Sequence, residues 1–105
     1  MTAIVTAADT LRTASGLCLG WFVTEELDGE YARGTFTPGP DFPAVEPLFR
    51  EFEELVNDQV LSLTDRAMAA IDRLGITAVS PVGRAVEVHD VQLYSDGVAS
   101  YRVRV

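Results

Sequence analysis

Two Asp-Gly dipeptides, Asp28-Gly29 and Asp96-Gly97, each lie between runs that read as strands, and they flank one long helical pattern. Asp-Gly between such runs is a strong hairpin signal, because tight hairpin turns need residues that tolerate positive φ. The chain therefore reads as hairpin, helix, hairpin. In the first hairpin, Leu17, Leu19, Trp21 and Val23 alternate with Phe22, Thr24 and Glu26, the pattern of a strand with one buried face. A two-residue Asp28-Gly29 loop pairs Val23 with Gly34 and Trp21 with Phe36, placing apolar groups together. The second hairpin favours a three-residue loop, Ser95-Asp96-Gly97. That register pairs Leu93 with Ala99, Val91 with Tyr101 and His89 with Val103, sets Asp90 opposite Arg102, and leaves Gly97 at the left-handed position of a bulged loop.

Between the hairpins, Thr37 to Pro47 is punctuated by Pro and Gly and reads as an irregular connection. From Pro47, which suits a first helical turn, apolar residues recur at Phe49, Phe52, Val56, Val60, Leu63, Ala67, Ile71 and Leu74 in steps of three or four. One continuous helix closed by Gly75 follows, with a break near Asn57-Asp58 left open. Such a helix would be about 40 Å long. Strands of eight or nine residues reach only about 25–30 Å. The helix would overhang its sheet, with Leu48 and Leu55 on one flank of its stripe and Leu61 and Met68 on the other. A homodimer is one way to cover the overhang; the N-terminal segment and the Pro-rich loop are another. Ile76 to Ser80 reads as a short strand or an extended return. The expected fold is α+β, ββαββ in order: a four-stranded antiparallel sheet with one long helix packed on one face. It forms a single domain over residues 1–105, in which 1–16 is an irregular or loosely attached segment, and a strand or a short helix capped near Thr6 are both open.

The chain's 105 residues suffice for one self-supporting core. Its formal charge is −8 and all of its basic residues are arginine. A GC-rich genome and adaptation to high salt both produce that bias. The charge argues against nucleic acid and anionic membranes as partners, since both attract basic surfaces. No apolar run approaches the roughly 18–20 residues needed to span a bilayer. The first residues lack the basic-then-apolar pattern of a secretory signal. A cytoplasmic location is expected, in keeping with a lone Cys18 that can form no internal disulfide.

Conventional chemistry finds little footing. With one histidine, His89, and one cysteine, a tetrahedral zinc site would need carboxylates. Glu25, Glu26, Asp28 and Glu30 lack EF-hand spacing. There is no glycine-rich phosphate loop and no nucleophile elbow. No cofactor or metal is expected. Nearly all acids fall on expected solvent faces, and Glu53, at the edge of the apolar stripe, is the one carboxylate to consider for acid–base work.

Two candidate binding surfaces follow instead. An open sheet face would present Phe22, Tyr31, Arg33, Gln92, Tyr94, Arg102 and Arg104, aromatics and arginines of the kind enriched at interfaces. Along the helix, Glu51, Glu54, Asp58, Asp65 and Asp72 would form one acidic stripe opposite the apolar one. The expectation is a small non-catalytic binding or regulatory domain acting as a homodimer. An acidic antitoxin-like or immunity-like protein that neutralises a basic partner through the stripe is the first alternative. A small enzyme with a site formed between subunits, using Glu53, His89 or the arginine-bearing face, is the second.

Overall fold

The computed structural model describes residues 8–104. Six antiparallel strands close into a barrel in the order β1-β2-β3-β6-β5-β4. They are β1 (Asp9–Arg12), β2 (Cys18–Asp28), β3 (Tyr31–Pro38), β4 (Thr77–Val79), β5 (Ala85–Leu93) and β6 (Val98–Val103). Two helices, α1 (Glu46–Asn57) and α2 (Leu61–Asp72), form a hairpin between β3 and β4, preceded by a 3₁₀ turn at Phe42–Ala44. This replaces the expected four-stranded sheet under one long helix. The two additional strands are the shortest, β1 and β4, and they pair with each other through Thr10–Val79, Leu11–Ala78 and Arg12–Thr77 to close the barrel. The expectations for residues 1–7 lie outside the described residues. Asp9–Arg12, in the N-terminal segment for which a strand and a short helix are both open from the sequence, is a strand.

The long helix ends early because its backbone turns left-handed at Gln59, φ 58°. The Gln59 N–H donates to the Val56 carbonyl and the Val60 N–H to the Leu55 carbonyl. That is the paired bonding of a Schellman stop, here built without glycine. The apolar period runs through the stop without losing phase, so periodicity alone could not reveal it. Leu63, expected in the buried stripe, is 42% exposed. The overhang that called for a dimer disappears with the break. Gly75, at φ 64°, follows the end of α2 as expected.

The first hairpin is one residue out of its expected register. Its loop is Gly29-Glu30, with Asp28 paired to Tyr31, and an extra residue at Glu25 bulges from β2. Only Gly29 has positive φ, the pattern of a II′ turn and not of I′. A second irregularity, at Leu19 opposite the Leu11/Arg12 step, changes which face of β2 is buried. Leu19, Gly20 and Phe22 are buried while Trp21 is exposed. The second hairpin keeps the expected Leu93–Ala99 pairing and its three-residue loop. A bulge at Asp90–Val91 then moves His89 opposite Arg102 instead of Val103.

Phe22, Ala32, Phe36, Ala99 and Tyr101 share one buried face at paired positions of β2, β3 and β6. The Phe22 and Tyr101 rings meet at 4.7 Å between centroids. Phe42 bridges from Phe36 to Phe49, so the 3₁₀ turn and α1 continue this core. Asp41 anchors the connection by accepting the Cys18 N–H at 2.9 Å. Burial pushes the Tyr101 phenol up to about 12, with Asp9, whose carboxylate the hydroxyl meets at 3.4 Å, adding to the rise. An unfolded tyrosine ionises near 10, so between pH 10 and 12 the unfolded chain has lost this proton while the folded one retains it. Stability should therefore be intact below pH 10 and fall as pH rises towards 12. Urea denaturation at about pH 9 and pH 11 checks this, with a smaller fall expected in Tyr101→Phe.

Candidate functional site

The structure scatters the seven residues expected on an open sheet face. Phe22 is fully buried, which removes it from any surface. Tyr31, Gln92 and Arg102 come together in a groove where the helical hairpin meets β3, β6 and β5. Tyr94 lines a separate cavity beside Glu53 and Phe36, and Arg33 a hollow beside Glu25 and Asp96. Arg104 follows β6, its N–H donating to the Glu87 carbonyl. The face is thus not open: the helices cross part of it.

The acidic stripe is divided in the same way. Glu51 and Glu54 are exposed on α1 and Asp58 caps its end. Asp65, on the second helix, lines the groove. Asp72 turns to the barrel, where its Oδ1 accepts the Asp90 N–H at 3.2 Å. A single line across five acids required one helix, and the turn at Gln59 ends it.

The groove has a volume of about 350 Å³. Phe52 and Val56 of α1 and Leu61 and Met68 of α2 form its apolar side. Tyr31, Gln92, Asp90 and Arg102 form the barrel side, with Thr64 and Asp65 at the α2 rim. Asp90 sets the polar geometry. It sits in the β5 bulge at φ 51°, a left-handed conformation that Asp tolerates better than most residues, and the Asp72 carboxylate holds its N–H. Its Oδ2 lies 3.6 Å from Arg102 Nε and 3.5 Å from His89 Nδ1. Arg102 also lies over the Tyr31 ring, its Cζ 5.4 Å from the centroid. The guanidinium is held from two sides, leaving its terminal N–H groups as donors. Gln92 is oriented by Tyr94, whose hydroxyl donates to Gln92 Oε1 at 2.6 Å, so the Gln92 amide NH₂ remains a donor. Burial, then the nearby Glu53 carboxylate, raise the Tyr94 pKa, which keeps that hydroxyl protonated.

The cavity by Phe36, Phe42 and Phe49 is smaller, about 190 Å³, below the usual range for ligand pockets. Its polar groups are already engaged. Glu53, the carboxylate singled out from the sequence, accepts the Ser95 N–H at 2.9 Å and its hydroxyl at 2.8 Å, clamping the β5–β6 loop to α1. Glu46 and Arg50 pair with each other. His89 is half-buried beside Asp90, not on the inner face beside Val103.

Among the described residues, no three His, Cys, Asp or Glu side chains are grouped to hold a metal ion. No described helix is long and apolar enough to cross a membrane. Sequence reasoning missed the groove's apolar side because Phe52 and Val56 read as ordinary core-facing helix positions. The one available signal was the pair Leu61 and Met68 on a flank of the stripe. Comparison with protein-family models, with curated proteins and with solved structures gives no match, so the geometry alone carries the functional reading.

Proposed function

We propose that this protein is a binding domain whose ligand site is the groove between the α1–α2 hairpin and the β3–β6–β5 wall. The observation that carries the reading is the convergence there of two oriented donors, Arg102 and the Gln92 amide, on a cleft with an apolar opposite side. The groove sets an apolar helical wall against a polar barrel wall, and its volume falls within the usual range of ligand sites. Two donors lining one groove call for an acceptor oxygen. Asp65 and Asp90 lie in the same groove and offset the charge of Arg102, which favours a neutral carbonyl over a carboxylate. The ligand class is a small apolar molecule bearing an amide or acyl carbonyl.

A panel of apolar amides and matched carboxylates, titrated while amide resonances are followed by NMR, tests this. The amides should shift Tyr31, Met68, Gln92 and Arg102, with the carboxylates weaker. Val56→Trp, which fills the groove from α1, should abolish those shifts while leaving the rest of the spectrum folded. Shifts confined to the Phe36–Phe49 cavity, or equal binding by Val56→Trp, would overturn the reading.

Self-association is a second reading. It rests on Leu61, 69% exposed and lining the groove, and Leu63, 42% exposed, both in the first turn of α2. Sedimentation equilibrium that returns a monomer at high concentration would remove it.

A further inference from the structure

The geometry points to a second binding surface, distinct from the groove, on the outer face of β2, β3 and β6, and its occupant is a basic protein segment with an apolar anchor. Strand register places Trp21 between Thr10 and Thr37, and Val23 next to Thr35, which in turn lies beside Val98. Trp21 and Val23 are two residues apart, so both rows face the same side. These six positions carry no charge, in a chain in which 23% of residues are charged. Trp21 is 40% exposed and Val98 38% exposed. Tryptophan at the centre of an uncharged patch is the residue type most often found to dominate an interface.

The rim decides what covers it. Thr35 and Val98 also line a hollow of about 260 Å³ whose charged residues are Glu25, Glu26, Asp96 and Arg33. Glu25 is the bulged residue of β2, and its carboxylate accepts the Thr35 hydroxyl at 3.0 Å, which draws it towards the patch. Asp96 is held in the β5–β6 loop by accepting the Val98 N–H at 2.9 Å. Three carboxylates against one guanidinium leave a net negative socket beside an apolar platform. A second copy would bring the same acidic rim and the same −8 charge to the contact, and like charges across an interface are costly. A basic segment has the opposite sign: its apolar side chain covers Trp21 while a Lys or Arg enters the hollow. This surface replaces the helix stripe as the site of complementarity to a basic partner.

Trp21 is the only tryptophan, so its fluorescence reports directly on the patch. The full chain is titrated with an extended peptide alternating arginine and leucine, and with its glutamate–leucine counterpart, at about 50 mM and about 500 mM salt. The arginine peptide should produce a saturable blue shift that weakens roughly tenfold or more at the higher salt, and the glutamate peptide none. The double variant Glu25→Gln/Asp96→Asn keeps both acceptor oxygens and should weaken binding roughly tenfold; Glu51→Gln/Glu54→Gln on α1 should leave it unchanged. Circular dichroism confirms that each variant is folded. No shift with the arginine peptide, an equal response to both peptides, or sensitivity to the α1 pair and not to Glu25 and Asp96 would overturn the proposal. So would a blue shift of the protein alone that tracks dimer formation in sedimentation, since a second copy would then own the surface.

Discussion

Phe22→Ala is expected to cost about 3–5 kcal/mol and to lower Tm by more than about 10 °C, whereas Trp21→Ala, one residue away, should cost about 1 kcal/mol. The contrast follows from the side each ring takes. Phe22 has no exposed surface and meets the Tyr101 ring at a tilt, 4.7 Å between centroids; Trp21 is 40% exposed between threonines. Truncating Phe22 removes a fully buried ring, leaves a cavity that the barrel can only partly collapse, and deletes an aromatic pair. Simple alternation from Leu17 predicts the opposite order, with Trp21 inward and Phe22 free on the surface. Thermal and urea denaturation of the two variants therefore decide whether the irregularity at Leu19 reverses the strand. Equal costs, or a larger cost at Trp21, would refute the barrel register in this region.

Gly34→Ala should cost about 4 kcal/mol or more, enough to prevent folding of a marginally stable domain. Gly34 does not need a glycine conformation; it needs the space. A methyl group there would stand 1.8 Å from the Val23 carbonyl oxygen and 3.1 Å from the Glu25 nitrogen. Both are backbone atoms that cannot swing aside as a side-chain end would. The extra residue at Glu25 is the local irregularity of β2 against β3, and the missing side chain at Gly34 admits the close approach. Gly29→Ala provides the comparison. It lies in open space at φ 60°, so only the left-handed strain applies and about 1 kcal/mol is expected. Purified yield and urea midpoints of the two variants separate steric from conformational cost. Gly34→Ala within about 1 kcal/mol of the parent would show that the strands do not approach as described.

The local features read best from the residues. The second hairpin's loop was legible because Gly97 has few alternatives at its position, and its φ of 90° agrees. Gly75 was legible as a helix stop for the same reason. The Gln59 stop was not, because a Schellman motif without glycine leaves no compositional trace and the apolar steps continue through it in phase. Of the seven residues expected on one open face, Tyr31, Gln92 and Arg102 line the candidate groove together while the other four lie elsewhere; their arginine–aromatic mix is visible along the chain. Phe22 was misplaced because a bulge changes the parity of a strand and has no signature in its residue types.

The sequence by itself determined the two hairpins, the apolar periods of both helices, the strong negative charge and the three-residue loop at Gly97. Each depends on neighbours within a few positions, where backbone preference and side-chain period act directly. Only the tertiary structure decided that the sheet closes. β1 and β4, four and three residues long, are too short to be persuasive alone, and they hold through each other and through β2 and β5. Closure, in turn, decides which ring of Trp21 and Phe22 is core, and the packing of α2 against the barrel brings Asp72 to Asp90. Those outcomes rest on contacts between residues far apart in the chain, and their energies exist only once the barrel and its helices are assembled.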